Sequence, residues 1–244
     1  MKTALRDPTV VIVEEKDVRM GKPTVITGFP GPGLVGSVAV RYLTENLGMK
    51  KIAYVKSRLI PPIKAITANK LKALSPIRIY MNTQGDLLTM WYSPPSVISP
   101  AAYWDIAEAL VNWLHRRTKE VIFLEGALIQ EKAKPKVFAF CSNSRKLQDL
   151  RQHDIQPLSN GIIGGISAGM IDVCLTLKIP WVALLTTTTQ LDIPDFQAAT
   201  VLIDALNKIL RLEVDTEPLL RAGKRRGRGK GLLRSLKRSV IGRS

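Results

Sequence analysis

The sequence is poor in the residues that site chemistry most often needs: 244 residues contain two histidines, His115 and His153, and two cysteines, Cys141 and Cys174. The cysteines form no C-x-x-C pair and neither lies beside a histidine, so a structural zinc site has no ligand set and no metal or other cofactor is expected. Both read as reduced thiols, Cys174 within a buried helix. Apolar residues make up 45% of the chain, enough for a substantial core, yet no uninterrupted apolar run approaches the ~20 residues that cross a bilayer. The N-terminal MKTALRDPTV places charge and a proline where a secretory signal needs an apolar stretch. The expectation is a cytoplasmic chain with no transmembrane segment. Internal repeats are absent as well.

Acidic residues are scarce, and entirely missing from one end. The net charge is +16; ten Lys or Arg and no Asp or Glu lie within 221–244, which leaves +6 on residues 1–220. The expected organisation is one α/β domain over 1–220 followed by a basic tail over 221–244. Within the tail, Ala222–Gly231 has too little apolar surface to fold alone and reads as a flexible linker. Leu232, Leu236 and Val240 then fall at i, i+4, i+8, the stripe of a short amphipathic helix. Its cations, with Arg225, Arg226, Arg228, Lys230, Arg234, Lys237 and Arg238 as candidate contacts, suit nucleic acid phosphates, an anionic membrane surface or an acidic protein groove. The tail has no aromatic residue to stack on bases, and a merely solvated extension is the plain alternative.

Glycine is where the sequence is informative. GFPGPGLVG, Gly28 to Gly36, joins the apolar run Pro23–Phe29 to a helical pattern over Leu34–Leu47. Gly31, Gly33 and Gly36 have G-x-G-x-x-G spacing, which in a dinucleotide-binding unit lets backbone amides approach a pyrophosphate. Here Pro32 has no N–H to donate. The following strand, Lys51–Val55, ends in Lys56, Ser57 and Arg58, where a ribose-binding acid would be needed. Close packing and φ > 0 are therefore the better account of Gly28, Gly31, Gly33 and Gly36. The second glycine turn, Asn160–Met170, contains Gly161, Gly164, Gly165 and Gly169 and leads into an apolar helix and the strand-like Trp181–Leu185. Its GISAG matches the nucleophile elbow at Ser167, but both histidines precede the serine and the glycine-rich Gly161–Gly165 is a poor strand. Ser167 reads instead as a small residue in a closely packed helix start.

Between the turns runs a βαβ-type rhythm. Thr9–Glu14 is strand-like; Ile77–Asn82 and Leu87–Tyr92 flank Thr83-Gln84-Gly85-Asp86 as a hairpin. Pro94, Pro95 and Pro100 mark a loop. Ala101–Arg117 carries a helix stripe at Ile106, Leu110, Trp113 and Leu114 and feeds the strand Val121–Leu124. Val137–Phe140 is another strand, and a last helix starts near Pro194 with Asp195 at its positive end. Thr186–Thr189 with Asp192 and Asp195 stand at a strand end, where α/β crevices open. A crevice using Ser167, Thr186 and Asp192 would serve a nucleoside or ester hydrolase or phosphorylase-like enzyme. The competing account makes the threonines turn residues and Asp195 a helix cap.

Taken in order, GFPGPGLVG, IPPIKAI (60–66), YSPPS (92–96), FLEGAL (123–128), NGIIGGISAGM, LLTTTTQLDIPDFQAA (184–199) and EVDTEPLL (213–220) resemble an archaeal member of the proteasome assembly chaperone family, the group of the second eukaryotic assembly chaperone. The resemblance implies a three-layer α/β sandwich with a mostly parallel mixed sheet, similar to purine nucleoside phosphorylase-like folds. It further implies a protein with no catalytic residues, working as a homo-oligomer or with a paralogous assembly chaperone, whose partners are proteasome α-subunits. Family members often end in a hydrophobic-Tyr-any tripeptide that docks between α-subunits. This sequence ends Gly242-Arg243-Ser244, so a scaffold role is the form of the function expected here.

Overall fold

The centre of the molecule is made by strands that are buried along nearly their whole length: TVITG of β2 (Thr24–Gly28), LLTMWY of β7 (Leu87–Tyr92), the first seven residues of β8 (Glu120–Leu128), and WVALLTTT of β11 (Trp181–Thr188). Continuous apolar runs of this kind are required where helices cover both faces of a sheet. The computed structural model describes residues 9–15, 20–61, 63–67, 70–92, 99–130 and 133–224. The remaining strands are β1 (Val10–Glu14), β3 (Lys50–Ser57), β4 (Ile63–Thr67), β5 (Lys70–Leu74), β6 (Ile77–Met81), β9 (Val137–Cys141) and the two-residue β10 (Gln156–Pro157). The helices are α1 (Val35–Asn46), α2 (Tyr103–Leu114), α3 (Ser144–Arg151), α4 (Gly165–Leu177) and α5 (Phe196–Leu210), followed by α6 over 217–224.

Nine strands form one mixed sheet in the order β1-β3-β6-β7-β2-β8-β11-β9-β10, and β4 and β5 pair as a separate hairpin. The ladders β7–β2, β2–β8 and β8–β11 are parallel and occupy the centre. Those on the flanks, β1–β3, β3–β6, β6–β7 and β11–β9, are antiparallel, while β10 runs parallel to β9. The expected α/β sandwich is thus present, with three parallel ladders gathered in the middle of the nine-stranded sheet and four of its eight ladders antiparallel. Alternation along β8 sends Val121 and Phe123 to one face, against Ile106 and Leu110 of α2 and Met170 of α4, and Ile122 and Leu124 to the other, against Val40 and Leu43 of α1 and Leu202 and Leu206 of α5. α3 joins the second face through Leu150. This makes three layers.

Local chemistry explains the element ends. Asn143 and Asp195 are N-caps, accepting from the N–H groups of Arg145 and Ala198 at 2.8 and 3.0 Å. Pro194 therefore precedes the cap of α5 and is not part of its first turn. The β6–β7 hairpin is held by Asn82, whose side-chain oxygen accepts from the N–H groups of Asp86 and Leu87. The expected linker start is corrected: residues 221–224 are helical, and a Cβ added at Gly223 would stand 2.8 Å from Phe196 Cβ, so α6 packs on the start of α5. The candidate tail contacts Arg225, Arg226, Arg228, Lys230, Arg234, Lys237 and Arg238 lie outside the described residues, as does most of the proline loop. Among the described residues no helix is long and apolar enough to cross a membrane.

Candidate functional site

The parallel strands β2, β8 and β11 end together at one rim, where α2, α4 and α5 begin. α1 leaves β2 on one face and α2 enters β8 on the other, which makes the β2–β8 boundary the kind of switch point at which α/β sheets open a crevice. Two glycine-rich turns, a buried acid and a threonine-rich strand end meet there.

The first turn is occupied by the protein itself. Gly33 adopts φ +63°, and its N–H donates to the Leu191 carbonyl at 2.9 Å while its own carbonyl accepts from the Asp195 N–H at 2.8 Å. The β11–α5 loop is thereby clamped onto the turn in place of any phosphate, and the dinucleotide reading loses its donor. The Thr188 hydroxyl donates to Asp195 Oδ2 at 2.7 Å and completes the clamp. Behind the turn, α1 approaches the sheet backbone: a Cβ on Gly36 would overlap the Leu124 carbonyl, one on Gly28 the Gly36 carbonyl, and one on Gly126 the Pro32 carbonyl. Of the downstream glycines, Gly169 lets α4 approach Ala107 of α2 and Gly165 adopts φ +66°. Gly161 meets only the flexible end of Leu158, and Gly164 faces open space, so close packing does not account for those two.

Of the candidate crevice residues, Ser167 and Thr186 are separated by the sheet. Glu125 is the ladder partner of Leu185, and both face the α2 and α4 layer with Phe123; Thr186 and Thr188 face α5. Asp192 is exposed in the β11–α5 loop. The trio does not form one site. No histidine joins it either: His115 ends α2, at the opposite edge of the sheet, and His153 follows α3. Thr187 accepts from the Lys136 N–H at 3.0 Å, and Asp195 caps α5. Among the described residues no cluster of His, Cys, Asp and Glu could hold a metal.

What is brought together is Ser167 with Glu125. Glu125, on the central strand, is 7% exposed. Among the described residues no basic side chain pairs with it, and burial pushes its carboxyl up to about 8, slightly offset by the Ser167 hydroxyl beside it. That hydroxyl is fully buried and stops short of a formed hydrogen bond. Gly31 lies on the other side, where a Cβ would come within 2.9 Å of Glu125 Oε2. No motif singles out Glu125 in the sequence; its one signal is that it is a lone acid inside the apolar run VIFLEGAL.

Two grooves flank Phe196 on the α5 side, each walled in part by α6. One of about 590 Å3 is lined by Thr188, Asp195, Leu220 and Lys224, and one of about 470 Å3 by Tyr42, Trp91 and Leu219. Large apolar side chains also stand exposed around the rim: Trp104 opens α2, Leu128 ends β8, Ile162 precedes α4, and Leu191 and Ile193 lie before α5.

Comparison with known proteins agrees with this geometry. A model of the PAC2 family matches residues 25–226. An uncharacterised protein of Methanocaldococcus jannaschii is 27% identical over 209 residues, which cover 86% of this chain and 84% of the relative. Among solved structures, Pyrococcus furiosus PbaA, described as an archaeal homolog of proteasome-assembly chaperone, is 26% identical with a TM-score of 0.84 over 96% of this chain and 94% of that one. A Thermoplasma acidophilum protein of unknown function is 30% identical with a TM-score of 0.74 over 92% and 90%. With the match running from β2 through α6, and both glycine turns inside it, the chain belongs to the PAC2 family.

Proposed function

We propose that this protein is a non-enzymatic assembly factor that oligomerises and binds proteasome α-subunits, directly or through a paralogous chaperone. The observation that carries the reading is the likeness to PbaA along almost the whole of both chains. Two features of the rim support it. The phosphate position of the first glycine turn is filled by the protein's own backbone, and Trp104, Leu128, Ile162, Leu191 and Ile193 present apolar surface of the kind that marks protein contacts.

The test is native mass spectrometry of the tagged protein isolated from its own cells after nuclease treatment, with a form truncated after Lys224 in parallel. α-Subunits or a paralogue recovered in fixed stoichiometry support the reading. Recovery of the bare chain refutes the partner. Binding lost with the truncation, and falling steeply with salt, would favour a nucleic acid or anionic-surface role for the tail.

A further inference from the structure

We propose that the first turn of α4, with the Ser167 hydroxyl and the Glu125 carboxyl beneath it, binds an oxyanion group, a phosphate or carboxylate, carried by a small molecule. The site is independent of the assembly role and lies on the opposite face of the sheet from the two grooves beside Phe196.

The first-turn N–H groups of a helix have no intrahelical acceptor, and here the cap residue is Gly164, which supplies no side-chain oxygen. A helix of this length, Gly165–Leu177, presents a positive end to an anion. A bare helix terminus is common. What distinguishes this one is Ser167, 1% exposed with an unpartnered hydroxyl, and the unpaired Glu125 directly below on β8. The Ser167 hydroxyl lacks a formed hydrogen bond, a situation that costs free energy unless a ligand or water completes it. Among the described residues the backbone of the turn is open, because nothing stands within 4 Å of a Cβ on Gly164, the nearest atom to one on Gly165 is a Tyr103 ring carbon at 3.9 Å, and Ile162 is 96% exposed.

Donors outnumber acceptors at this turn, which selects an oxygen acceptor as the ligand. Glu125 is itself a donor at neutral pH, since burial holds its proton to about pH 8. Among the described residues, Phe29 follows β2, β11 contributes Leu185 and the Pro-Gly turn contributes Gly31, none of them charged, and the ionisable groups at the start of α2 are Tyr103 and the exposed Asp105. Anion binding and retention of one proton on Glu125 are therefore coupled.

Calorimetric titration of the full-length protein with sodium sulfate, whose charge is constant across the range, and in parallel with sodium acetate, tests this at pH 6.5 and 9.5 and fixed ionic strength. Saturable binding of at least one anion is expected at pH 6.5, weakening on the order of 30-fold at pH 9.5; sulfate alone identifies a tetrahedral group and acetate alone a carboxylate. Glu125→Gln, which donates at any pH, should bind equally at both, and Ser167→Ala should bind about tenfold more weakly. Circular dichroism establishes that both variants are folded. Dilution heat alone with both anions would overturn the proposal. So would undiminished binding by Ser167→Ala, which would assign the anion to the basic surface, or an unchanged pH dependence in Glu125→Gln.

Discussion

Glu125→Gln is the perturbation that most directly tests how the core is built. The carboxyl sits near its ordinary value of 4.5 in an unfolded chain and at about 8 in the folded one. Between those values the folded state binds the extra proton, so stability falls as pH rises, by about 1.4 kcal/mol per unit, and becomes level above the folded value. Over the full interval the loss reaches on the order of 4–5 kcal/mol, a large share of a typical 5–15 kcal/mol. Gln reproduces the neutral acid and cannot ionise. It leaves one buried amide donor to satisfy, a cost of about 1–3 kcal/mol that does not change with pH. Urea unfolding of both proteins at equal concentration, followed by circular dichroism from pH 5 to 9, should give a variant slightly less stable at pH 5 and about 2–4 kcal/mol more stable at pH 8.5. The slope of the difference is the diagnostic quantity. A difference that is flat in pH would show that Glu125 is not buried without a counter-charge, and would refute the reasoning.

Three further outcomes are expected. Gly33→Val places a β-branched residue at φ +63° against Thr188 and should cost at least about 2–3 kcal/mol, whereas Gly164→Ala, facing open space, should be within about 0.5 kcal/mol of wild type in the same denaturant assay. Asp195→Ala removes the α5 cap and the Thr188 bond together, an expected loss of about 1–2 kcal/mol and a melting temperature lower by roughly 2–8 °C by calorimetry. Burial pushes the Cys174 thiol up to about 12, so an aromatic disulfide reagent at pH 8 should titrate Cys141 alone until the protein is unfolded; two reactive thiols in the native state would contradict the placement of α4.

The elements that were legible in the sequence are those whose residues announce themselves locally. The stripe of α2, the runs of β2, β8 and β11, the TQGD turn between β6 and β7 and the Asp195 cap all follow from side-chain period and cap chemistry within a few residues. Elements whose order depends on remote partners were missed. α3 is a short, polar helix held by Asn143 and one buried leucine, Leu150, and the β4–β5 hairpin lies in a segment whose only signal was family likeness. The candidate site was mixed in the same way. The glycine turns could be located from spacing, but Gly126, which the same close approach of the turn requires, could not, because its neighbour Pro32 is 94 residues away in the chain.

By itself, then, the sequence determined the α/β class, the two turns, the charge imbalance of the tail and the family likeness, since each is written in local order and composition. The tertiary structure alone decided which face each strand-end side chain serves. Strand alternation and the positions of α4 and α5 put Ser167 against Glu125 and sent Thr186 to the other side of the sheet. That same packing gave the Gly33 N–H to Leu191 and left a buried acid as the distinctive chemistry of the rim.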